Sequence, residues 1–357
     1  MTTQKDSKKK YKVLDLFCGA GGFSLGFVHA GYELVAGIDN DTNAINTYKR
    51  NFGDSKGILL DLSQTSNFKE LDNRLGKKID VIIGGPPCQG FSVAGKRLAD
   101  DPRNRLYKAY LDFIDRYKPK AVIIENVPSI LSLYSGRIAK EITNDLEKKG
   151  YTISTYKLNA ADYGIPQARK RIFFVGLRNN KNFDFSKLQI VPLSKQINSK
   201  MALDDLPLLD KSHGGEVLEY LKSPTNQYQE DMRRSSKKIY NHSAVIHKEE
   251  TIRIIKLVPD GGNYKNLPEE LQNTRRVNIA WTRLNSKKPS FTIDAGHNHH
   301  FHYKANRVPT VRESARLQSF PDKFIFVGGR VTQYRQVGNA VPPMLARIIA
   351  ISLLDYI

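Results

Sequence analysis

Between Lys12 and Asp39 the sequence passes through an apolar stretch, a glycine turn, a helical stretch, a second apolar stretch and an acid. Few folds accept that order. Residues 12–17 (Lys-Val-Leu-Asp-Leu-Phe) read as a strand, and Cys18-Gly19-Ala20-Gly21-Gly22 as a tight turn. Residues 23–31 read as a helix stopping at Gly31, and 33–38 as a strand ending in Asp39. In doubly wound sheets, an acid about 20 positions beyond such a turn accepts hydrogen bonds from ribose hydroxyls. A dinucleotide fingerprint would read Gly-x-Gly-x-x-Gly and set a helix N-terminus on a pyrophosphate. Here the run is Asp15-Leu16-Phe17-Cys18-Gly19-Ala20-Gly21-Gly22, with an acid and an aromatic ahead of the turn. That suits a nucleoside cofactor with a cationic amino-acid end, and S-adenosylmethionine is such a cofactor.

The alternation continues. Strands are expected at 56–60 before Asp61, at 80–83, at 119–124 before Glu125-Asn126-Val127, and at 151–158 and 172–177. Helices are expected around 68–75, 107–117 and 135–149. The strand at 80–83 runs into Gly84-Gly85-Pro86-Pro87-Cys88, where two prolines fix φ and aim the thiol from a rigid strand tip. A free cysteine is most often a small buried hydrophobe. What favours a nucleophile is its company: Asp39, Asp61 and Glu125 end strands of the same sheet, on the edge where open α/β sheets bind ligands. Gln167-Ala168-Arg169-Lys170-Arg171 enters the last strand with two guanidiniums two residues apart, hence on one face. That face suits a phosphate-flanked substrate or, more blandly, a solvated strand entry.

From 179 to 305 the rhythm is lost, and Pro and Gly punctuate a polar stretch with strand-like pieces such as 289–294. The expected architecture is therefore α/β: a doubly wound, Rossmann-like sheet suited to the S-adenosylmethionine-type cofactor read above, with a smaller, mixed or mainly β second domain. Residues 1–10 form a basic tail, 11–178 plus 306–357 the catalytic and cofactor-binding domain, and 179–305 the second domain. The run His297-Asn298-His299-His300-Phe301-His302 invites a metal reading, but it lacks cysteine partners and a ligand spacing, so no metal site is assigned. A loop on phosphates or at the domain junction is preferred. Thr310 with Glu313 forms a capping box, and Gln336-Val337-Gly338-Asn339-Ala340-Val341-Pro342-Pro343 opens a C-terminal helix over 344–356.

Composition narrows the partner. Lys and Arg number 56 against 36 Asp and Glu, a net charge of +20, and 179–305 carries 20 basic against 14 acidic residues. A polyanion rewards such a balance; a small neutral metabolite does not. No apolar run approaches the roughly 18 residues of a membrane span, and the lysine-rich start has no apolar signal core. Two cysteines make neither a disulfide framework nor a structural zinc site. A reducing cytoplasmic setting is expected, with no membrane.

A thiol, a carboxyl, paired arginines and a methyl-donor pocket in a basic chain resemble the DNA (cytosine-5)-methyltransferase family. Asp15 to Gly22 is similar to its cofactor motif, Pro86-Pro87-Cys88 to its nucleophile motif, Glu125-Asn126-Val127 to its acid motif, and Gln167 to Arg171 to its arginine motif. Arg312-Glu313 through Phe320-Pro321 and Gly338-Asn339-Ala340-Val341-Pro342 are similar to its last two motifs, all in family order. The resemblance implies S-adenosylmethionine as cofactor, held by Phe17, Gly19, Gly21, Gly22, Asp39, Asn40, Asp61, Pro86 and Asn339. Asn40 stands where many members carry an aromatic, and Cys18 is read as packing. It implies Cys88 as nucleophile, Glu125 as acid, Arg169 and Arg171 placing a flipped-out cytosine of double-stranded DNA, and 179–305 as the target-recognition domain. Ser92, Lys96, Arg97 and Arg103 would close over the base. A monomeric modification enzyme with a separate cognate restriction endonuclease is the implied setting. A transfer-RNA methyltransferase of the same superfamily and a catalytically silent DNA-binding regulator stay open as alternatives, and a dehydrogenase is the weakest.

Overall fold

The computed structural model describes residues 10–64, 68–87, 102–210, 212–274, 281–296 and 300–357, with backbone alone for 64, 68–70 and 102–105. Seven strands form one sheet: β1 (Lys12–Leu16), β2 (Glu33–Asp39), β3 (Gly57–Leu59), β4 (Val81–Gly84), β5 (Ala121–Asn126), β6 (Thr152–Asn159) and β7 (Lys170–Leu177). Their order is β3-β2-β1-β4-β5-β7-β6. The run from β3 to β5 is parallel, whereas β7 lies antiparallel to both β5 and β6. Strand order therefore reverses between β1 and β4, and the crevice beyond their carboxyl ends is the ligand position of such sheets. The antiparallel β7 begins at that same edge, since Ile172 pairs with Asn126 and Phe173 with Glu125. One reversed strand thus brings Arg169 and Arg171 to the edge where the parallel strands end.

The strands are continuous apolar runs because helices cover both faces. Successive residues alternate between two cores: Val13, Val81, Ile83 and Ile123 join one, while Leu14, Ile82, Val122 and Ile124 join the other. The first core packs against α1 (Gly22–His29), α2 (Thr42–Phe52) and α12 (Pro343–Leu353). The second packs against α3 (Phe68–Leu75), α4 (Pro102–Tyr117) and α5 (Arg137–Lys148). Helix α2 was not expected from the sequence; its start is set by Asp41, whose carboxylate accepts from the amides of Asn43 and Ala44.

The stretch after β7 carries α6 (Ser199–Leu203), α7 (Gln227–Arg233), α8 (Glu249–Leu257), α9 (Glu269–Gln272) and one two-stranded antiparallel ladder, β8 (Gly214–Leu218) with β9 (Ile239–Ser243). Among the described residues it is mixed, with more helix than strand; residues 289–294, read as strand-like, form only an isolated bridge, Gln167 to Ser290. Phe183, Phe185 and Leu188 still pack into the first sheet core. A third core joins Ala20 and Leu25 to Leu203, Tyr228, Ile293, α10 (Val311–Leu317) and Phe320. The capping box is formed: Thr310 accepts from the Glu313 amide, and Glu313 accepts from the Thr310 amide.

The C-terminal motif departs from expectation. Gln336 to Asn339 closes a separate helix, α11 (Arg330–Asn339), and the last helix starts only at Pro343, which occupies its first turn. Proline suits that position because its fixed φ and missing N–H cost nothing there.

Candidate active site

Backbone geometry builds the cofactor side of the crevice first. Phe17 leaves β1 with φ +59°, a left-handed conformation that a bulky side chain adopts only when its surroundings hold it. Cys18 then donates to the Ile38 carbonyl at 3.1 Å, and the Gly19 amide donates to Asp39 Oδ2 at 2.8 Å. Asp39 Oδ1 accepts from the Asp41 amide at 2.9 Å. The acid at the tip of β2 is therefore locked in place, and burial pushes its carboxyl above the usual range despite these amides.

Asp15 lies deeper, 1% exposed. Its Oδ2 accepts from Ser24 Oγ at 2.6 Å and from the Ser24 amide, and Ser24 Oγ in turn lies 2.7 Å from the Tyr48 hydroxyl. Its Oδ1 is buried with no hydrogen-bond partner among the described residues, and desolvation raises its pKa to about 7.

A cavity of about 520 Å³ opens at this edge, within the ordinary size of a cofactor pocket. Phe17, Gly19, Asp39, Asn40, Pro86, Glu125, Arg169, Arg171 and Asn339 all line it, as does Asp15. Three expected cofactor residues do not. Gly21, the α1 N-cap at φ +94°, has Tyr48 and Phe52 where a Cβ would stand. At Gly22 a Cβ would lie 2.3 Å from the Val341 carbonyl, so these two glycines admit neighbouring chain. Asp61 sits between the lining residues Leu60 and Leu62, and its Oδ1 accepts from the Ser63 amide at 2.9 Å. The lining residues fit S-adenosylmethionine: an acid for a ribose, an aromatic ring, and a buried carboxyl with an orphan oxygen for a cationic end.

On the other side of the crevice Glu125, 9% exposed, receives Arg171 Nε at 2.8 Å. Burial raises the Glu125 pKa, and Arg171 and then Arg169 oppose the rise. A Cβ on Gly85 would stand 3.2 Å from Glu125 Oε2, so the bare backbone leaves room for the acid. Asn126 donates to the Pro86 carbonyl at 3.0 Å, tying the acid strand to the turn that leads into Cys88. Arg169 and Arg171 share a face while Lys170 is exposed, but they differ in reach. Arg169 is 1% exposed and donates to the Gly338 carbonyl at 2.7 Å, and desolvation lowers its pKa to about 9. Cys88 itself, with Ser92, Lys96 and Arg97, lies outside the described residues, as does the side chain of Arg103.

Burial also shifts the pKa values of Cys18 and His302. Cys18 lines the cavity wall, but burial pushes its thiol up and leaves it inert, in keeping with packing. His302 is 2% exposed, accepts from the amides of Lys304 and Ala305 through Nδ1, and burial lowers its pKa to about 4. It is a core residue at the junction with α10. His300 stacks on Phe291 with centroids 4.6 Å apart, and His297 and His299 lie outside the described residues.

Sequence reasoning missed Asp15 as a lining residue, and with it Gln336 and Arg335. Asp15 carried a signal, a charged residue inside an apolar strand; the other two carried none beyond proximity to Gly338 and Asn339.

The fold and site define an open α/β sheet with a cavity at its switch-point crevice, lined by an acid at the tip of β2, a buried acid on β5 and two arginines, the architecture of cofactor-binding α/β enzymes. The C-5 cytosine-specific DNA methylase family matches residues 11–355, and the chain belongs to that family: it is a DNA cytosine-5 methyltransferase. It is 38% identical over 345 residues to Type II methyltransferase M1.HphI of Haemophilus parahaemolyticus, covering 96% of this chain and 86% of that one. It is also 38% identical to Type II methyltransferase M.DdeI of Desulfomicrobium norvegicum, covering 95% and 87%. Among solved structures, a prophage-encoded DNA modification methyltransferase (E. coli) superimposes with a TM-score of 0.80 at 28% identity, covering 97% and 99%. The S. pombe Dnmt2 methyltransferase shares the fold at a TM-score of 0.56 and 19% identity, covering 97% and 99%. S-adenosylmethionine use is inherent to the family.

Proposed function

We propose that the protein methylates carbon 5 of a flipped-out cytosine at a specific duplex DNA sequence, through a covalent Cys88 adduct at carbon 6. The observation that carries this reading is the buried Glu125–Arg171 pair in the same cavity as Phe17 and Asp39, at the edge where the chain runs on from Pro86 toward Cys88. Carbon 5 of cytosine is a poor nucleophile. Addition of the Cys88 thiolate to carbon 6 moves an electron pair toward carbon 5 while Glu125 gives its proton to ring nitrogen 3. S-adenosylmethionine, when bound, supplies an electrophilic methyl carbon. As the new carbon–carbon bond forms, the methyl–sulfur bond breaks and S-adenosylhomocysteine is the leaving group. The carbon 5 proton then passes to a solvent base, its electron pair re-forms the ring double bond and expels the Cys88 thiolate, and Glu125 recovers its proton from ring nitrogen 3.

Burial shifts Glu125 toward the protonated form that this role needs, against the opposing Arg171 and Arg169, and the Arg171 ion pair orients its carboxyl. Phe17, Gly19, Asp39, Asn40, Pro86 and Asn339 would hold the cofactor, with Asp61 beside them and Asp15 facing its cationic end. Residues 179–305 would carry sequence readout, since phosphate contacts position a protein on DNA and base contacts specify the site. Carbon 6 is hidden inside duplex DNA, so the base must leave the stack. The Type II names of the relatives support a modification role in a restriction–modification system; a separate endonuclease, a monomeric state and a cytoplasmic setting belong to the same proposal.

The test is methyl transfer from labelled S-adenosylmethionine to duplex DNA, with trapping on 5-fluorocytosine DNA. Cys88→Ala should abolish both; undiminished transfer would sink the mechanism.

A further inference from the structure

Asn339 sits at the end of α11 and lines the cavity, yet its backbone is held on both sides by side chains from elsewhere. On one side, Arg169 donates to the Gly338 carbonyl at 2.7 Å. On the other, Gln318 Nε2 donates to the Ala340 carbonyl at 2.5 Å. Gln318 is 0% exposed, and its Oε1 accepts from Nε2 of Gln167, also 0% exposed and two residues before Arg169. Gln167 further donates to the Leu317 carbonyl, and its Oε1 accepts from the Ile293 amide. The segment around Ile293 closes on the same point: a Cβ on Gly338 would stand 2.6 Å from the Ala295 nitrogen.

We propose that Gln318, working with Gln167, is a positioning residue for the cofactor pocket: the paired amides fix the backbone around Asn339 in register with the arginine loop. The inference rests on the reading above that Asn339 holds the cofactor. The physical reason is satisfaction of buried groups. Each amide uses its donor and its acceptor at once, so removing the Gln318 amide leaves the buried Ala340 carbonyl without this donor and takes from the Gln167 amide one of its two acceptors, the Leu317 carbonyl remaining. The chain from Ala340 to Pro342 is a short link between α11 and α12, and loosening it frees Asn339 while the sheet and Glu125 stay where they are.

The experiment is calorimetric binding of S-adenosylhomocysteine to the full chain without DNA, with steady-state kinetics and thermal unfolding alongside. Gln318→Met, similar in length and without the amide, should weaken binding roughly tenfold, the usual cost of an unsatisfied buried partner. KM for S-adenosylmethionine should rise in step, while kcat at saturating cofactor stays within about twofold. Gln318→Asn keeps the amide but shortens the side chain by one carbon, so it cannot reach both partners and should weaken binding too; it decides the question if the methionine variant does not fold. Gln167→Met combined with Gln318→Met should cost no more than the worse single change, because the pair acts as a unit. Affinity within twofold of wild type in both Gln318 variants overturns the proposal. So does an equal loss of kcat at saturating cofactor, which would mark a general structural role. Asn339→Ala is the separate control: unchanged affinity there removes Asn339 as a cofactor residue, whatever the glutamines do.

Discussion

Asp15 and Glu125 are both carboxyls raised by burial, yet their surroundings give them different work. Asp15 has a pKa of about 7 against an ordinary 3.8, because desolvation outweighs the Ser24 hydrogen bonds that favour its charge. Between those two pH values the folded chain binds a proton that the unfolded chain has lost, so the cofactor-free protein should lose stability as pH rises from about 4 to 7. Asp15→Asn should flatten that slope in denaturant midpoints measured across the range; a slope unchanged in the variant would refute the assignment. Glu125 faces the opposite side of the crevice, where Arg171 opposes the rise. Glu125→Gln keeps the shape and loses the exchangeable proton, so kcat should fall about 10²- to 10⁴-fold while S-adenosylhomocysteine affinity is nearly unchanged. Equal loss in both would mean that Glu125 only supports the pocket. The motifs announced Asp39, Glu125 and the arginines because each is a polar group at the end of an apolar run. They could not separate Arg171, which reaches Glu125, from Arg169, which is sealed against Gly338; that difference comes from tertiary packing alone.

Helix α1 shows how one element serves both the core and the site. Phe23, Leu25 and Phe27 are buried while Val28 is exposed, and Gly22 and Gly26, one turn apart, lie on the face toward the C-terminal chain. A Cβ on Gly26 would meet the Ala346 Cβ at 2.3 Å and the Pro343 carbonyl at 2.6 Å, so the two backbones touch directly. Gly26→Ala must push α12 away, and overpacking of this kind costs about 1–3 kcal/mol, more than offsetting any gain in helix propensity. A lowered midpoint in urea at constant slope would show it; a stabilised variant would contradict the close approach. The strands were within reach of the sequence because buried parallel strands read as short Val and Ile runs between helical stretches; the antiparallel insertion of β7 between β5 and β6 was not. Neither α2 nor α11 was read from the sequence: α2 is amphipathic and its start is marked by the Asp41 cap, so its signal was present and overlooked, whereas α11 has little amphipathic pattern and no side-chain cap. The stretch after Arg178 was least legible. Its order comes from buried arginines such as Arg283, which donates to the carbonyls of Ile255, Val258, His302 and Ala305, and no hydrophobic period encodes such bonds.

For the whole molecule, the net charge of +20 overstates simplicity, because some of its arginines are structural. Arg316 is sealed between Asp205 and Asp322, and Arg307 is held by Glu313, so neither is free to meet a phosphate. Salt dependence counts the cations that neutralise phosphates, whatever the net charge. The exposed lysines and arginines dispersed along the chain should supply about 6–10 such contacts, giving a loss of roughly 10³- to 10⁵-fold in duplex affinity between about 50 and 200 mM salt. Cofactor binding should behave differently in the same titration. Asp15 is buried and Asp39 largely enclosed, so screening by bulk ions reaches them weakly, and S-adenosylhomocysteine affinity should change by less than about threefold. Measured by fluorescence anisotropy for DNA and calorimetry for the cofactor, the two slopes should separate cleanly. A DNA slope equivalent to two ions or fewer would mean that the basic excess does not face the duplex, and the dispersed charge would then need another explanation. Non-cognate duplex should share most of the slope at lower affinity, because phosphate contacts carry the salt dependence while base contacts, proposed above to come from 179–305, carry the difference.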